Sequence, residues 1–237
     1  MRRNLTLGTL FTAKLALSLI ATLLTVSAAN AAPLAFDDGF DGPGLNAAWN
    51  QGGDPNGHPA AIAGTYDMTD AHGSPGVKLS RNTPGTLSGY THEIELTLDP
   101  FLLSGSGGTQ TDVKWKSFGP DGFMELVLNS FGDMRMFHND SSGGAGNIQP
   151  NTNLGLTDGD LLKIITVYNA GSDTIDVTYS LNGGLPQPYY SGGGIDGPVG
   201  NTITNFVELE VSKFGSGEAT QAVVAIDRWR LAEVPEP

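Results

Sequence analysis

Polar and apolar side chains alternate strictly along four consecutive segments, THEIELTLD, TDVKWKSF, FMELVLN and DMRMFHN. No other feature constrains the fold as tightly. Successive side chains of a β-strand point to opposite faces, so a period of two marks strands buried on one side. After residue 32 no stretch keeps the i, i+3, i+4, i+7 apolar spacing of a helix. FGPDGF, between the second and third segments, is a Pro-Asp-Gly turn, and SFGD, between the third and fourth, is a short glycine loop; both are hairpin chemistry. Threaded as an antiparallel meander centred on its loops, the chain places Glu95 opposite Lys114, Glu93 opposite Lys116, Lys116 opposite Glu125 and Val127 opposite Arg135. The other face gathers Ile94, Leu96, Val113, Trp115, Leu126, Leu128, Met134 and Met136, with His92 and His138 on the same side. Sorting charges to one face and large apolar residues to the other is what a half-buried sheet requires.

A second hairpin follows in DLLKIITVYNAGSDTIDVTYSLNGG, where NAGSD turns the chain and Ile164 and Tyr168 face Tyr179 and Ile175. NFVELEVSKF and AVVAIDRWRL supply two late strands, and LAFDDGF, TYDMTD and GVKLS three early ones. About ten or more strands are enough for two packed antiparallel sheets. The 33 glycines lie between apolar runs and read as turns. The expected fold class is therefore an all-β sandwich. Cysteine is absent, so no disulfide, thiolate nucleophile or cysteine-based zinc site contributes.

The amino terminus has a separate meaning. Arg2, Arg3 and Lys14 precede and enter the apolar run LALSLIATLLTV, which ends in SAANAA. A basic start, a short apolar core and a small-residue site such as Ala29-Asn30-Ala31 form a secretory signal peptide, here residues 1–31, with cleavage after Ala31 or Ala32. The run falls short of the roughly 20 apolar residues that span a bilayer. Cleavage removes three basic residues and no acidic ones, so 12 Lys and Arg become nine against 25 Asp and Glu, a net charge of −16. Such a polyanion is a poor partner for phosphate backbones, so nucleic acid is excluded, as are anionic membrane surfaces. Divalent cations and neutral or cationic glycans fit it better.

The opening FDDGFDGPGLNAAWNQGG, the mid-chain hairpin ending in SLNGG and the closing VVAIDRWRLAEVPEP resemble the laminin G-like group of the concanavalin A-like lectin/glucanase superfamily, in its bacterial exported form. The resemblance implies a jelly-roll sandwich of two antiparallel sheets over residues 33–232, one sheet concave and facing glycan. Residues 233–237, ending in VPEP, resemble the start of the PEP-CTERM sorting signal of environmental Gram-negative bacteria. That implies an exosortase-type sorting machinery as partner and residence outside the cytoplasm, at the cell surface or in a biofilm matrix.

Laminarinase-type members carry a Glu-x-Asp-x-x-Glu-like strand, because retaining hydrolysis needs two carboxyl groups roughly 5 Å apart. HEIELTLD is the nearest approach, with Glu93 and Glu95 on one face; the middle acid is Glu and the third is missing. The expectation is a noncatalytic surface or matrix domain binding extracellular polysaccharide. The alternatives are a diverged laminarinase-like glycoside hydrolase and a purely structural envelope protein. Sugar recognition needs exposed aromatic faces flanked by polar groups, and Trp49, Arg135 with Phe137, Tyr189 and Tyr190 are the candidates. Asp37, Asp38 and Asp41 crowd the first strand and its turn, and Asp227 lies on the last strand, which in this resemblance runs beside the first. Hard oxygen donors gathered in this way suit a structural Ca²⁺, while Asp38-Gly39 and Asp41-Gly42 equally suit turns.

Overall fold

A computed structural model of the protein describes residues 34–70, 76–83, 85, 87, 89–101, 110–119, 122–140, 145–169, 172, 174–193, 206–214 and 222–234. The leader 1–31 and the Pro-Glu-Pro end of the tail lie outside the described residues. Everything below concerns the compact unit Pro33–Pro237.

The strands in chain order are β1 Leu34–Asp38, β2 Trp49–Gly53, β3 Tyr66–Asp70, β4 Val77–Asn82, β5 Tyr90–Leu98, β6 Gln110–Gly119 and β7 Gly122–Asn129. They continue with β8 Asp133–Asp140, β9 Ala145–Asn153, β10 Leu161–Asn169, β11 Thr174–Leu181, β12 Gln187–Gly193, β13 Phe206–Phe214 and β14 Ala222–Glu233. Among the described residues they form two seven-stranded sheets. The first runs β1-β14-β5-β10-β11-β12, with β3 also on β14; the second runs β2-β4-β13-β6-β7-β8-β9. Every pairing is antiparallel. The expected all-β sandwich is the observed fold.

Three of the four meander strands pair as the alternation predicts. In β6, β7 and β8, Lys116 lies opposite Glu125 and Val127 opposite Arg135. The hairpin β10–β11 also has the expected register, Ile164 opposite Tyr179 and Tyr168 opposite Ile175. β5 departs from expectation. It lies in the first sheet between β14 and β10, so Glu95 faces Lys163 and Glu93 faces Ile165. The neighbour of β6 is β13, which sets Glu210 against Lys114 and Glu208 against Lys116. Alternation fixes the face that a side chain takes but says nothing of which strand lies beside it. VELEV in β13 repeats the Glu-x-Glu spacing of HEIEL in β5, so the two strands compete on paper for the same lysines.

The core lies between the sheets and is lined by Trp229, Tyr66, Tyr90, Met68, Leu79, Ile94, Leu96, Met134 and Met136, among others. Its aromatic centre packs Trp49 against Trp229, with ring centroids 4.9 Å apart, and sets Phe36 edge-on to Trp49 at 5.4 Å. Polar groups also sit inside, His92 and Ser117 among them. His92, on β5, accepts at Nε2 from the indole N–H of Trp229 at 2.7 Å and from that of Trp115 at 3.0 Å. Because Nε2 accepts twice, the neutral tautomer carries its proton on Nδ1, which donates to Ser117 Oγ at 3.1 Å. Tyr90 bonds Ser117 in turn. Trp229 belongs to the first sheet and Trp115 and Ser117 to the second, so this network crosses the sandwich.

Full burial lowers the His92 imidazole from its usual 6.5 to about 3. The unfolded chain binds a proton near pH 6.5, whereas the native state holds out until about pH 3. Stability from this group is therefore present above pH 6.5 and is lost as pH falls toward 3, at up to about 1.4 kcal/mol per pH unit. Urea titrations at pH 7.5 and 4.5 should show a smaller acid-induced fall for His92→Leu than for the parent. The variant should also be destabilised by about 2–5 kcal/mol at pH 7.5, since two buried indole donors lose their acceptor.

Candidate functional site

Strand alternation gives each sheet an outward face, and the two faces differ in chemistry. On the second sheet the outward side chains form rows across the strands. The first is aromatic: Phe118 stacks on Phe206 at 4.2 Å and meets Phe123 at 5.4 Å. The second runs Ser80, Glu208, Lys116, Glu125, Phe137 and Asn147. The third runs Lys78, Glu210, Lys114, Val127 and Arg135. A fourth holds Ser212, Asp112 and Asn129.

These outward charges are largely shielded from water: Lys116, Glu125 and Glu210 are each 8% exposed. Burial on this scale requires pairing. Lys116 Nζ donates to Glu208 at 3.0 Å and also to Glu210, Lys114 donates to Glu210 at 3.1 Å, and Lys78 lies 3.5 Å from Glu210. Burial disfavours ionisation of Glu210, but the hydrogen bond and charge of Lys116, with Lys114, outweigh it and bring the carboxyl down to about 2. Glu125 has no such bond among the described residues, and burial pushes its carboxyl up despite the charges of Lys116 and Lys114.

At the β7–β8 end this face opens into a hollow of 220 Å³ lined by Gln110, Val127, Asn129, Asp133, Arg135 and Asn151. Asn129 shapes it by accepting from the backbone N–H groups of Phe131 and Asp133, both at 3.0 Å, which fixes the tight turn. Phe131 stands exposed on that turn. Arg135 lies beside Phe137, its guanidinium carbon 5.9 Å from the ring centroid. The structure thus brings Arg135 and Phe137 together, both half-buried on the outward face.

Of the other aromatic candidates, Trp49 and Tyr189 are corrected. Trp49 is 5% exposed, points into the core, and donates its indole N–H to Asp38 Oδ2 at 2.7 Å. Tyr189 is buried and its hydroxyl donates to the Met134 carbonyl at 2.9 Å, across the sandwich. Tyr190 is half-buried and packs on the core. A register shift in the β11–β12 pairing at Val177/Thr178 displaces the tyrosine pair from simple alternation. No feature of QPYYSGGG announces that shift.

The outward face of the first sheet carries the acidic candidates. Glu93 and Glu95 share one cation: Lys163 Nζ donates to Glu95 at 3.0 Å and also to Glu93. Both glutamates are paired to lysine as the sequence suggests, but to a different lysine. β1 does run beside β14, with Asp38 opposite Trp229. Asp37, Asp41 and Asp227 line one open hollow of 420 Å³ together with Glu95 and Arg228. Asp38 does not join them; its oxygens take the Phe40 N–H at 2.9 Å and the Trp49 indole. Asp37 is engaged at both oxygens by Arg228, at 2.8 and 2.6 Å, and this hydrogen bonding holds its carboxyl below the usual range. Asp227 accepts from Thr97 at 2.8 Å, and burial raises its carboxyl. Asp38 thus stands apart from the other three aspartates. Among the described residues, no group of three His, Asp or Glu side chains is arranged to hold a metal ion.

No family model matches the chain, and no curated protein sequence matches it. Solved structures do. The endo-1,3-beta-glucanase of Streptomyces sioyaensis is 13% identical and aligns over 85% of this chain and 96% of its own, with a TM-score of 0.57. Lectin II of Ulex europaeus is 8% identical over 85% of this chain and 99% of its own, with a TM-score of 0.56. The GH43 protein BlXynB of Bacillus licheniformis, as its K247S mutant, is 14% identical over 84% of this chain at a TM-score of 0.53, and the chain spans 39% of that protein's length. The fold is thus the concanavalin A-like jelly roll shared by lectins and glucanases.

The ion-pair rows make a stability prediction. Lys116→Met should cost about 3–5 kcal/mol in urea unfolding, because it leaves Glu208 and Glu210 buried with one partner fewer. Lys78→Met, whose side chain is 36% exposed, should cost less than about 1 kcal/mol.

Proposed function

We propose that this jelly roll is a noncatalytic, exported surface or matrix domain that binds extracellular polysaccharide through the outward face of its second sheet. The observation that carries the reading is Arg135 in the wall of a hollow shared with Asn129, Asn151 and Gln110, with Phe137 beside it on the same face. A sugar ring presents apolar C–H groups on its faces and hydroxyls on its edge, so an aromatic ring flanked by amides matches it. The hollow is smaller than the roughly 300–1,000 Å³ usual for drug-sized ligands and suits one sugar unit of a longer chain. Export rests on the leader Met1–Ala31, and delivery by an exosortase-type machinery on the VPEP tail.

The noncatalytic assignment rests on the pairing of the carboxylates. Glu208 and Glu210 on one face, and Glu93 and Glu95 on the other, are hydrogen-bonded to lysines, and Lys116 with Lys114 holds the Glu210 carboxyl well below its usual range. A general acid must keep its proton near neutral pH. One observation favours the second reading, a diverged glycosidase: burial raises the Glu125 carboxyl in the direction that such an acid requires.

Affinity electrophoresis of the full chain in gels containing laminarin, lichenan, agar or carrageenan tests the reading. Retardation by at least one glycan is expected, weakened about tenfold in Phe137→Ala, and unchanged between calcium and chelator. Retardation that chelator abolishes would instead assign the Asp41 and Asp227 hollow a calcium ion. Reducing-end release should be absent from all four; release that disappears in Glu125→Gln would establish the glycosidase.

A further inference from the structure

Among the described residues, the outward face of the second sheet holds four cations, Lys78, Lys114, Lys116 and Arg135, and three of them are committed. Lys78, Lys114 and Lys116 all pair with Glu208 or Glu210. Arg135 has no ion pair or hydrogen bond among the described residues, although it lies at the wall of the polar hollow. Acids stand near it, yet each has other business. Asp133 accepts from the Asn153 amide at 2.9 Å, and Asp112 takes the Gln110 amide. Asp112 and Glu125 feel the charge of Arg135, which opposes the upward push that burial gives their carboxyls, but neither is hydrogen-bonded to it among the described residues.

A guanidinium presents its donors as a planar fork that matches an oxyanion bidentately. Phe137 is two residues along the same strand and on the same face, one sugar width from Arg135 at about 6.6–6.8 Å of strand rise. We infer that the glycan bound here is acidic, a uronate or sulfate-bearing sugar whose ring lies on Phe137 and whose anionic group is held by the Arg135 fork, with Asn129 and Asn151 on its hydroxyls. The inference rests on the glycan-binding reading and adds the substrate class to it. The chain's net charge of −13 opposes approach of a polyanion at long range. At about 0.1 M salt that repulsion is screened beyond roughly 10 Å, whereas the contact at Arg135 is local.

Isothermal titration of the full chain with oligogalacturonate, with the same oligomer after carboxyl reduction, and with sulfated carrageenan oligosaccharide decides it. Tighter binding of one anionic oligomer than of the reduced one, by tenfold or more, is expected, and the better anion identifies the group as carboxylate or sulfate. Arg135→Gln should erase that preference, bringing affinity for the anionic oligomer down to that for the reduced one. Arg135→Lys should recover only part of the preference, since it restores charge without the fork. Thermal midpoints of both variants should match the parent, which separates lost recognition from lost folding. Equal affinity for anionic and reduced oligomers, unaffected by Arg135→Gln, would overturn the inference and leave the glycan reading in place. Failure to bind these oligomers or any of the neutral glycans would overturn the glycan reading and the inference with it.

Discussion

Two tryptophan N–H groups from opposite sheets converge on one nitrogen of His92, and the rest of the molecule is arranged around that junction. Hydrophobic burial holds two sheets together without caring how far one slides over the other, because it is not directional. Hydrogen bonds are directional, and in a dry interior an unmet donor is costly. A slide that separated His92 from either indole would strand a donor, so the network sets where β14 and β5 lie relative to β6. In a chain with no cysteine this polar contact takes over the registering role that a cross-link often has.

That registration reaches the candidate site through the pleat. With Trp115 committed inward, Lys114 and Lys116 must point outward, and the pairings then carry the pattern to Glu125, Val127, Arg135 and Phe137 in turn. The outward face is therefore positioned by the core beneath it. The buried ion pairs stiffen the middle of the face, and Arg135 and Phe137 lie toward its edge next to β9, where pairing is interrupted by two register shifts. A charged centre thus lies beside an irregular, amide-rich edge.

Much of this was legible in the sequence, and the failures share a cause. The inward and outward assignment of β5 through β8 follows from period two alone, as does the burial of His92 and Trp115. The partner of β6 did not follow, because Glu93 and Glu95 mimic Glu208 and Glu210 in spacing and only tertiary packing chooses between them. Trp49 and Tyr189 were read as exposed for want of local signals: Trp49 sits among glycines and polar residues, and its burial depends on Phe36, Phe40 and Trp229 arriving from distant segments. The outward placement of Arg135 and Phe137 was legible because they alternate regularly. The hollow beside them was not, since Asn151, Gln110 and Asn129 come from three separate strands.

The pairing of β14 with both β1 and β5 has a consequence for how the protein comes into being. Asp38 meets Trp229 across 190 intervening residues, and the His92 junction lacks one of its indoles until that same strand is in place. Closing so long a loop brings little reward before the final contacts form, and folds dominated by such pairings assemble slowly. The first sheet therefore cannot be completed while the ribosome is still making residues 222–233. Until then the edges of β1 and β5 that β14 covers stay unpaired, and an uncovered strand edge is a template for pairing with another chain.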